Sequence, residues 1–179
     1  MLFRSEPELA AGYAEVVKTA LIAGGDLWSR VRAGARPDDE IIWQCLRTKL
    51  AVVSADERDA GRRQVLNLGH TVGHAIEAAT GYRRYRHGEA VAIGLLCALR
   101  LSGQDSLREE VAELLSRHGL PLQFDGAEVD DVVRLVARDK KRRGDAVPFV
   151  LVEAPGAVTP GHRVAERDLR AAVAEVHAS

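Results

Sequence analysis

Cysteine, lysine, long apolar runs and strand-forming segments are all scarce in this chain of 179 residues. The two cysteines, Cys45 and Cys97, form no C-x-x-C pair, which excludes a disulfide framework. Both sit in apolar, helix-patterned stretches and read as buried thiols in a reducing compartment. With 25 basic against 26 acidic residues there is no excess charge of either sign. A strong positive field is therefore missing, which argues against non-specific nucleic-acid binding and against an anionic membrane surface. The longest strongly apolar run, residues 90–99, falls well short of the ~20 residues that span a bilayer. The opening MLFRSEPELAAG lacks a basic start, an apolar core and a cleavage site, so the expectation is a cytoplasmic protein. No strand leads into a G-x-G-x-x-G turn, and strands do not alternate with helices, so the sequence carries no recognisable nicotinamide site of its own.

What is present is helical periodicity almost from end to end. Ser5 is placed to cap a first helix carrying Leu9, Tyr13, Val16, Val17 and Leu21, stopped by Gly24 and Gly25. Asp26 is placed to cap a short second helix. Pro37 marks the start of a third, running through Ile41, Ile42, Cys45, Leu46, Leu50 and Val53. A fourth is expected to hold Val65, Leu66, Val72, Ala75, Ile76 and Ala79 and to end at Gly81, and a fifth runs from Gly88 to about Leu101. Amphipathic stretches at 107–118 and 129–138 and a last helix from Ala165 complete the pattern. The one β signal is a hairpin near 147–159, turning at Pro155-Gly156. The expected fold class is mainly α, in one multi-helix domain.

The densest chemical cluster is NLGHTVGHAIEAATGYRRYRHGEA, with His70, His74, Glu77, His87 and Glu89. Four-residue spacing puts the imidazoles of His70 and His74 on one helix face, and Glu77 lies on the same side a turn later. His87, from the following loop, completes a pocket suited to a divalent ion such as zinc. In YAEVVKTA, Glu15 and Lys18 share a helix face among apolar neighbours. A buried carboxylate beside a buried lysine needs a partner such as a metal or a phosphate.

Lys49, Glu57, Arg63 and Asn67 punctuate the stretch LRTKLAVVSADERDAGRRQVLN, and Lys140 and Lys141 stand in ARDKKRRGD between Asp139 and Asp145. Lys18, Lys49, Lys140 and Lys141 are all the lysines in the chain, against a strong arginine bias. An ammonium retained where arginine is the habitual base points to contact with phosphate or carboxylate, or to proton exchange.

In their order and spacing, ELAAGYAEVVKTALI, KLAVVSADERDAGRRQVLNLGHTVGHAIEAATGY, HGEAVAIGL and RDKK resemble the C-terminal, metal-binding helical domain of 3-dehydroquinate synthase, a family of sugar phosphate cyclases. The likeness covers nearly the whole chain, 1–179. Asp59, where the family usually has Glu, and Arg62, where it often has an apolar residue, are its departures. The family's N-terminal Rossmann-like NAD-binding domain has no counterpart here.

The resemblance implies that Glu15, His70 and His87 are the metal ligands, for Zn2+ or Co2+. This differs from the spacing, which had put His70 and His74 together on the metal. It also implies that Lys18, Lys49, Arg63, Asn67 and His74 line the substrate site, closed by one or both of Lys140 and Lys141, with His74, Lys49 and Lys18 in catalytic roles. The implied reaction converts 3-deoxy-D-arabino-heptulosonate 7-phosphate to 3-dehydroquinate and phosphate in the shikimate pathway of aromatic amino acid biosynthesis. NAD, bound mainly by the absent domain, transiently oxidises one hydroxyl, phosphate is eliminated, the carbonyl is reduced, and the opened ring closes by an intramolecular aldol step. The implied partners are a sugar phosphate, the NAD-binding domain or subunit and a second copy in a homodimer. The alternatives are a 2-deoxy-scyllo-inosose or aminodehydroquinate type of cyclase, a metal-dependent polyol dehydrogenase domain, and a non-catalytic metal-binding module.

Overall fold

The computed structural model describes residues 6–55, 61–142 and 149–178, with side chains described over 8–55, 61–138 and 149–178. The apolar run of residues 90–99 becomes the middle of helix α5 (His87–Leu101), where every residue from 90 to 99 is buried. A helix apolar on all sides has to be central. Around it pack α1 (Glu6–Ala23), α4 (His70–Ala79), α6 (Asp105–Arg117) and α8 (Glu166–Glu175), together with a hairpin strand. Helix α7 (Val129–Arg142) lies against α4 and α8. Tyr13, Val17, Leu21, Ile76, Leu95, Leu99, Leu115, Phe124 and Val173 belong to this one core. No described helix is long and apolar enough to cross a membrane.

Two close approaches set the distances between the helices that carry the histidines and Glu15. A Cβ at Gly88 would lie 1.9 Å from the carbonyl oxygen of Ala11, so only glycine lets the first turn of α5 rest on the backbone of α1. A Cβ at Gly94 would lie 2.0 Å from the carbonyl oxygen of Gly69, which brings α5 equally close to the start of α4.

The fourth expected helix is in fact two elements. Residues Arg62–Asn67 form a 3-10 turn, and α4 starts afresh at His70 after Gly69, whose φ of 76° lies in the left-handed region. The apolar spacing of Val65, Leu66 and Val72 conceals this break, because Val65 and Val72 are buried on either side of it.

Helix α2 (Gly25–Arg32) follows α1 directly. Helix α3 (Asp39–Ala55) begins two residues after Pro37, where the Asp38 carboxylate accepts a 2.8 Å hydrogen bond from the Ile41 N–H. Its apolar residues do not form the expected core face. Ile41 is buried, but Ile42 is 47%, Leu46 44% and Leu50 66% exposed, and Trp43 is exposed as well. The helix rests on α1, α2 and the 3-10 turn, and the 42–46–50 stripe is left uncovered among the described residues.

The hairpin consists of antiparallel strands β1 (Phe149–Ala154) and β2 (Ala157–His162) and turns at Pro155-Gly156. It runs past the expected limit at 159. Pro160 is tolerated because β2 is an edge strand of a two-stranded sheet. Phe149, Val150 and Val152 bury into the helical core, and the Gly156 N–H donates a 2.8 Å hydrogen bond to the Leu21 carbonyl near the C-terminal end of α1. Both cysteines are free thiols. Cys97 is buried, which pushes its thiol up to about 12, while Cys45 is only half-buried.

Candidate metal and anion site

α1 supplies Glu15 and Lys18 one turn apart, α4 supplies His70 and His74 on one face, and His87 is the first residue of α5. The Gly88 contact holds the start of α5 against α1 a turn before Glu15, which is how His87 comes to the same end of the bundle. The three histidines each offer a ring nitrogen, and these atoms all lie within 4.8 Å of one another. A Glu15 oxygen stands 3.7 Å from His70 Nε2.

Imidazole nitrogens and a carboxylate converging in this way are the donors that zinc or cobalt takes, so the residues fit a divalent ion. The spacing argument that paired His70 with His74 finds both beside His87, and the resemblance finds Glu15 beside His70.

The Nδ1 of His70 lies 3.1 Å from the carbonyl oxygen of Leu68. Donation from Nδ1–H to that carbonyl leaves Nε2 with a free lone pair on the Glu15 side. Burial, reinforced by the charge of Lys18, lowers the His70 pKa to about 4. A pH dependence follows. With the unfolded group near 6.5, the unfolded chain takes up a proton first as the pH falls. The metal-free protein is therefore expected to lose stability between pH 6.5 and about 4, by up to ~1.4 kcal/mol per pH unit, and to hold this contribution in full above that window. Urea midpoints measured from pH 7.5 to 4.5 check this, and a flat profile would contradict it.

Glu15 is held by two ammoniums, with one oxygen 2.9 Å from Lys18 Nζ and the other 3.1 Å from Lys49 Nζ. Burial alone would raise its pKa, but Lys18 and Lys49 outweigh that and keep the carboxyl below its ordinary range. Lys18 is only 3% exposed, and its pKa is lowered by burial despite the support of Glu15. Lys18 is buried as its apolar neighbours suggest, whereas Glu15 keeps 27% of its side-chain surface exposed and meets Lys18, Lys49 and His70.

Arg63 and Asn67 stand exposed on the 3-10 turn that leads into α4. Lys140 and Lys141 fall in the last turn of α7, their side chains outside the described residues, and Glu57, Asp59 and Asp145 also lie outside them. Glu89 is not directed to the cluster: its carboxylate accepts a 2.7 Å hydrogen bond from the Arg86 N–H and caps α5. The Arg-rich loop before His87 is fastened elsewhere, with Arg84 bonded to the Asp125 carboxylate and the Tyr85 hydroxyl donating to it at 2.7 Å. No residue pattern signals the Leu68 carbonyl, because it is a backbone group. Beside Glu15 and Lys49 opens a groove of about 960 Å3 between α1 and α3, lined by Leu9, Tyr13, Val16, Cys45 and Leu46.

In overall shape the chain matches about half of each of two solved synthases. It superposes with a TM-score of 0.80 on 2-epi-5-epi-valiolone synthase from Streptomyces hygroscopicus, a structure with NAD+ and Zn2+ bound, at 20% identity, covering 97% of this chain and 52% of that one. A 2-deoxy-scyllo-inosose synthase complexed with carbaglucose-6-phosphate, NAD+ and Co2+ gives a TM-score of 0.74 at 24% identity, covering 97% of this chain and 53% of that one.

Residues 12–142 match the family described as 3-dehydroquinate synthase C-terminal, and the chain belongs to that family. Among curated relatives, a 3-dehydroquinate synthase of Leptospira interrogans is 40% identical over 162 residues, 83% of this chain and 45% of the relative. One from Salinibacter ruber is 41% identical over 176 residues, 91% of this chain and 48% of the relative. The chain thus spans about half the length of the curated relatives it matches.

Proposed function

We propose that the chain is the metal- and substrate-binding part of a 3-dehydroquinate synthase, acting on 3-deoxy-D-arabino-heptulosonate 7-phosphate with loss of phosphate. The observation that carries this reading is the Glu15 carboxylate held between Lys18 and Lys49 beside three convergent histidines. In this reading Glu15, His70 and His87 hold Zn2+ or Co2+, which supplies a Lewis acid for hydroxyl and carbonyl oxygens of the substrate.

Glu15 and Glu77 balance the two ammoniums, so a bound divalent ion leaves the site with net positive charge. The site therefore favours an anionic ligand, as a sugar phosphate with a carboxylate is. Lys18, at 3% exposure, is held in place by burial and its charge is desolvated, so it binds an anionic oxygen more strongly than a surface lysine does. Lys49, Arg63 and Asn67 bind phosphate and carboxylate oxygens by charge-assisted and amide hydrogen bonds, and one or both of Lys140 and Lys141 complete the substrate site. His74, exposed beside the other two histidines, is placed to move a proton at the phosphate side.

The described sheet is a two-stranded antiparallel hairpin, which does not fit a dinucleotide, so NAD is assigned to a separate nucleotide-binding domain or subunit. The exposed 42–46–50 stripe of α3 and the groove beside Lys49 are assigned to such a partner. A cytoplasmic homodimer of the completed enzyme is part of the same reading.

The test has two arms. The chain alone is expected to bind one zinc per molecule and to release no phosphate from the heptulosonate phosphate, even with NAD. Joined to a nucleotide-binding domain of its family, it is expected to release phosphate from that substrate in preference to other sugar phosphates. Preference for a hexose phosphate in that assay would move the assignment to the inosose branch, and net NADH formation from glycerol-like alcohols would move it to a polyol dehydrogenase.

A further inference from the structure

His87 Nδ1 lies 3.3 Å from Oε2 of Glu77, a largely buried carboxylate on the same helix as His70 and His74. An ionised carboxylate only accepts hydrogen bonds, so the contact requires the proton on Nδ1. That leaves the Nε2 lone pair as the one available to an ion. His70 is arranged in the same way by the Leu68 carbonyl. Two of the three clustered imidazoles are thus turned by an acceptor behind them, one a backbone carbonyl and the other a side chain.

We propose that Glu77 is a positioning residue for the metal site: it fixes the tautomer and ring orientation of His87 and thereby sets the affinity for the divalent ion. The inference rests on the reading of His87 as a ligand, and it adds a residue that the metal itself does not touch. Helix α4 then carries His70, His74 and the acceptor that orients His87, so one rigid element governs all three imidazoles. His87 is half-exposed at the start of α5, and its ring meets those of His70 and His74 at centroid distances of 5.1 and 5.6 Å, so the Glu77 carboxylate is the polar contact that sets which nitrogen faces them.

Glu77→Gln is the informative variant because it keeps the size of the side chain. Its amide can donate to Nδ1, which would place the imidazole proton on Nε2 and block the metal-facing nitrogen. The expected result is a 10–100-fold loss of zinc affinity, measured by chelator competition on the full chain, with the metal-free melting temperature unchanged. A second measurement needs no variant and no metal. Histidine 15N shifts of the metal-free protein at pH 7.5 are expected to show His87 protonated on Nδ1, and protonated on Nε2 in Glu77→Gln. An Nε2–H His87 in the unsubstituted protein, or a zinc affinity within twofold in the variant, would overturn the proposal. If the unsubstituted chain binds no zinc, the metal reading fails, while the tautomer measurement still decides the role of Glu77.

Discussion

Gly88→Ala is expected to lower the stability of the chain by about 3 kcal/mol or more and to cut zinc affinity at least about tenfold. The added methyl would sit 1.9 Å from the Ala11 carbonyl oxygen, and the obstacle is backbone on both sides. No side chain can swing aside, so α5 has to lift from α1. Close-packed interiors do not absorb such a displacement without losing contacts elsewhere. Because His87 immediately precedes Gly88 and Glu15 lies one turn beyond Ala11, the same movement separates two of the proposed ligands.

Gly12→Ala is the control. It lies next to Ala11 on the same helix with nothing within 4 Å of its added methyl, and is expected to gain up to ~1 kcal/mol from helix propensity. Thermal melts and zinc competition on the two variants check the pair. A Gly88→Ala protein with unchanged melting temperature would show that the approach of α5 to α1 is not what holds the site.

Glu15→Leu is the second large effect, expected to cost about 2–4 kcal/mol and to abolish tight zinc binding. Removing the carboxylate leaves Lys18, at 3% exposure, with a buried charge and no counterpart, and stranding one member of a buried pair is strongly destabilising. The range is set below the full value for a fully buried pair because Glu15 retains some solvent contact. The double variant Glu15→Leu/Lys18→Met then separates structure from function. With both charges replaced by apolar groups, stability is expected to return to within about 1 kcal/mol of the starting protein, while zinc affinity stays lost. Lys49 is well enough exposed to be solvated without its partner. Urea denaturation of the single and double variants measures the first effect and chelator competition the second. Recovery of zinc binding in the double variant would remove Glu15 from the ligand set.

The sequence showed which segments are helical and where the hairpin turns, because both are written in local patterns: periodic apolar residues, and Pro155-Gly156 between two β-prone runs. It also showed the histidine cluster and the Glu15–Lys18 pair, since spacings of three and four residues translate directly into a shared helix face. What it concealed depends on contacts between distant segments. The break at Gly69 exists because the backbone there meets α5 at Gly94, and a glycine in an apolar pattern does not name its partner. The exposure of Ile42, Leu46 and Leu50 was likewise hidden, since an amphipathic pattern states that a face wants cover and not whether this chain supplies it. The pairing of Glu77 with His87 joins residues on two helices, and helix spacing placed Glu77 only on the face of His70 and His74.

The hydrogen bond from Gly156 to the Leu21 carbonyl bears on when the site can assemble. Helix α1 is synthesised before the other described helices, but the peptide nitrogen that bonds its Leu21 carbonyl belongs to the hairpin turn that follows α7. Until that turn has been synthesised, the Leu21 carbonyl of the helix carrying Glu15 and Lys18 is left to water, and Phe149, Val150 and Val152 have not yet sealed the core behind it. A nascent chain that stops at the end of α7 contains every proposed ligand and still lacks the clasp that fixes α1. On the proposed ligand set, ion binding is therefore a late event of folding, one that reports on closure of the hairpin over α1.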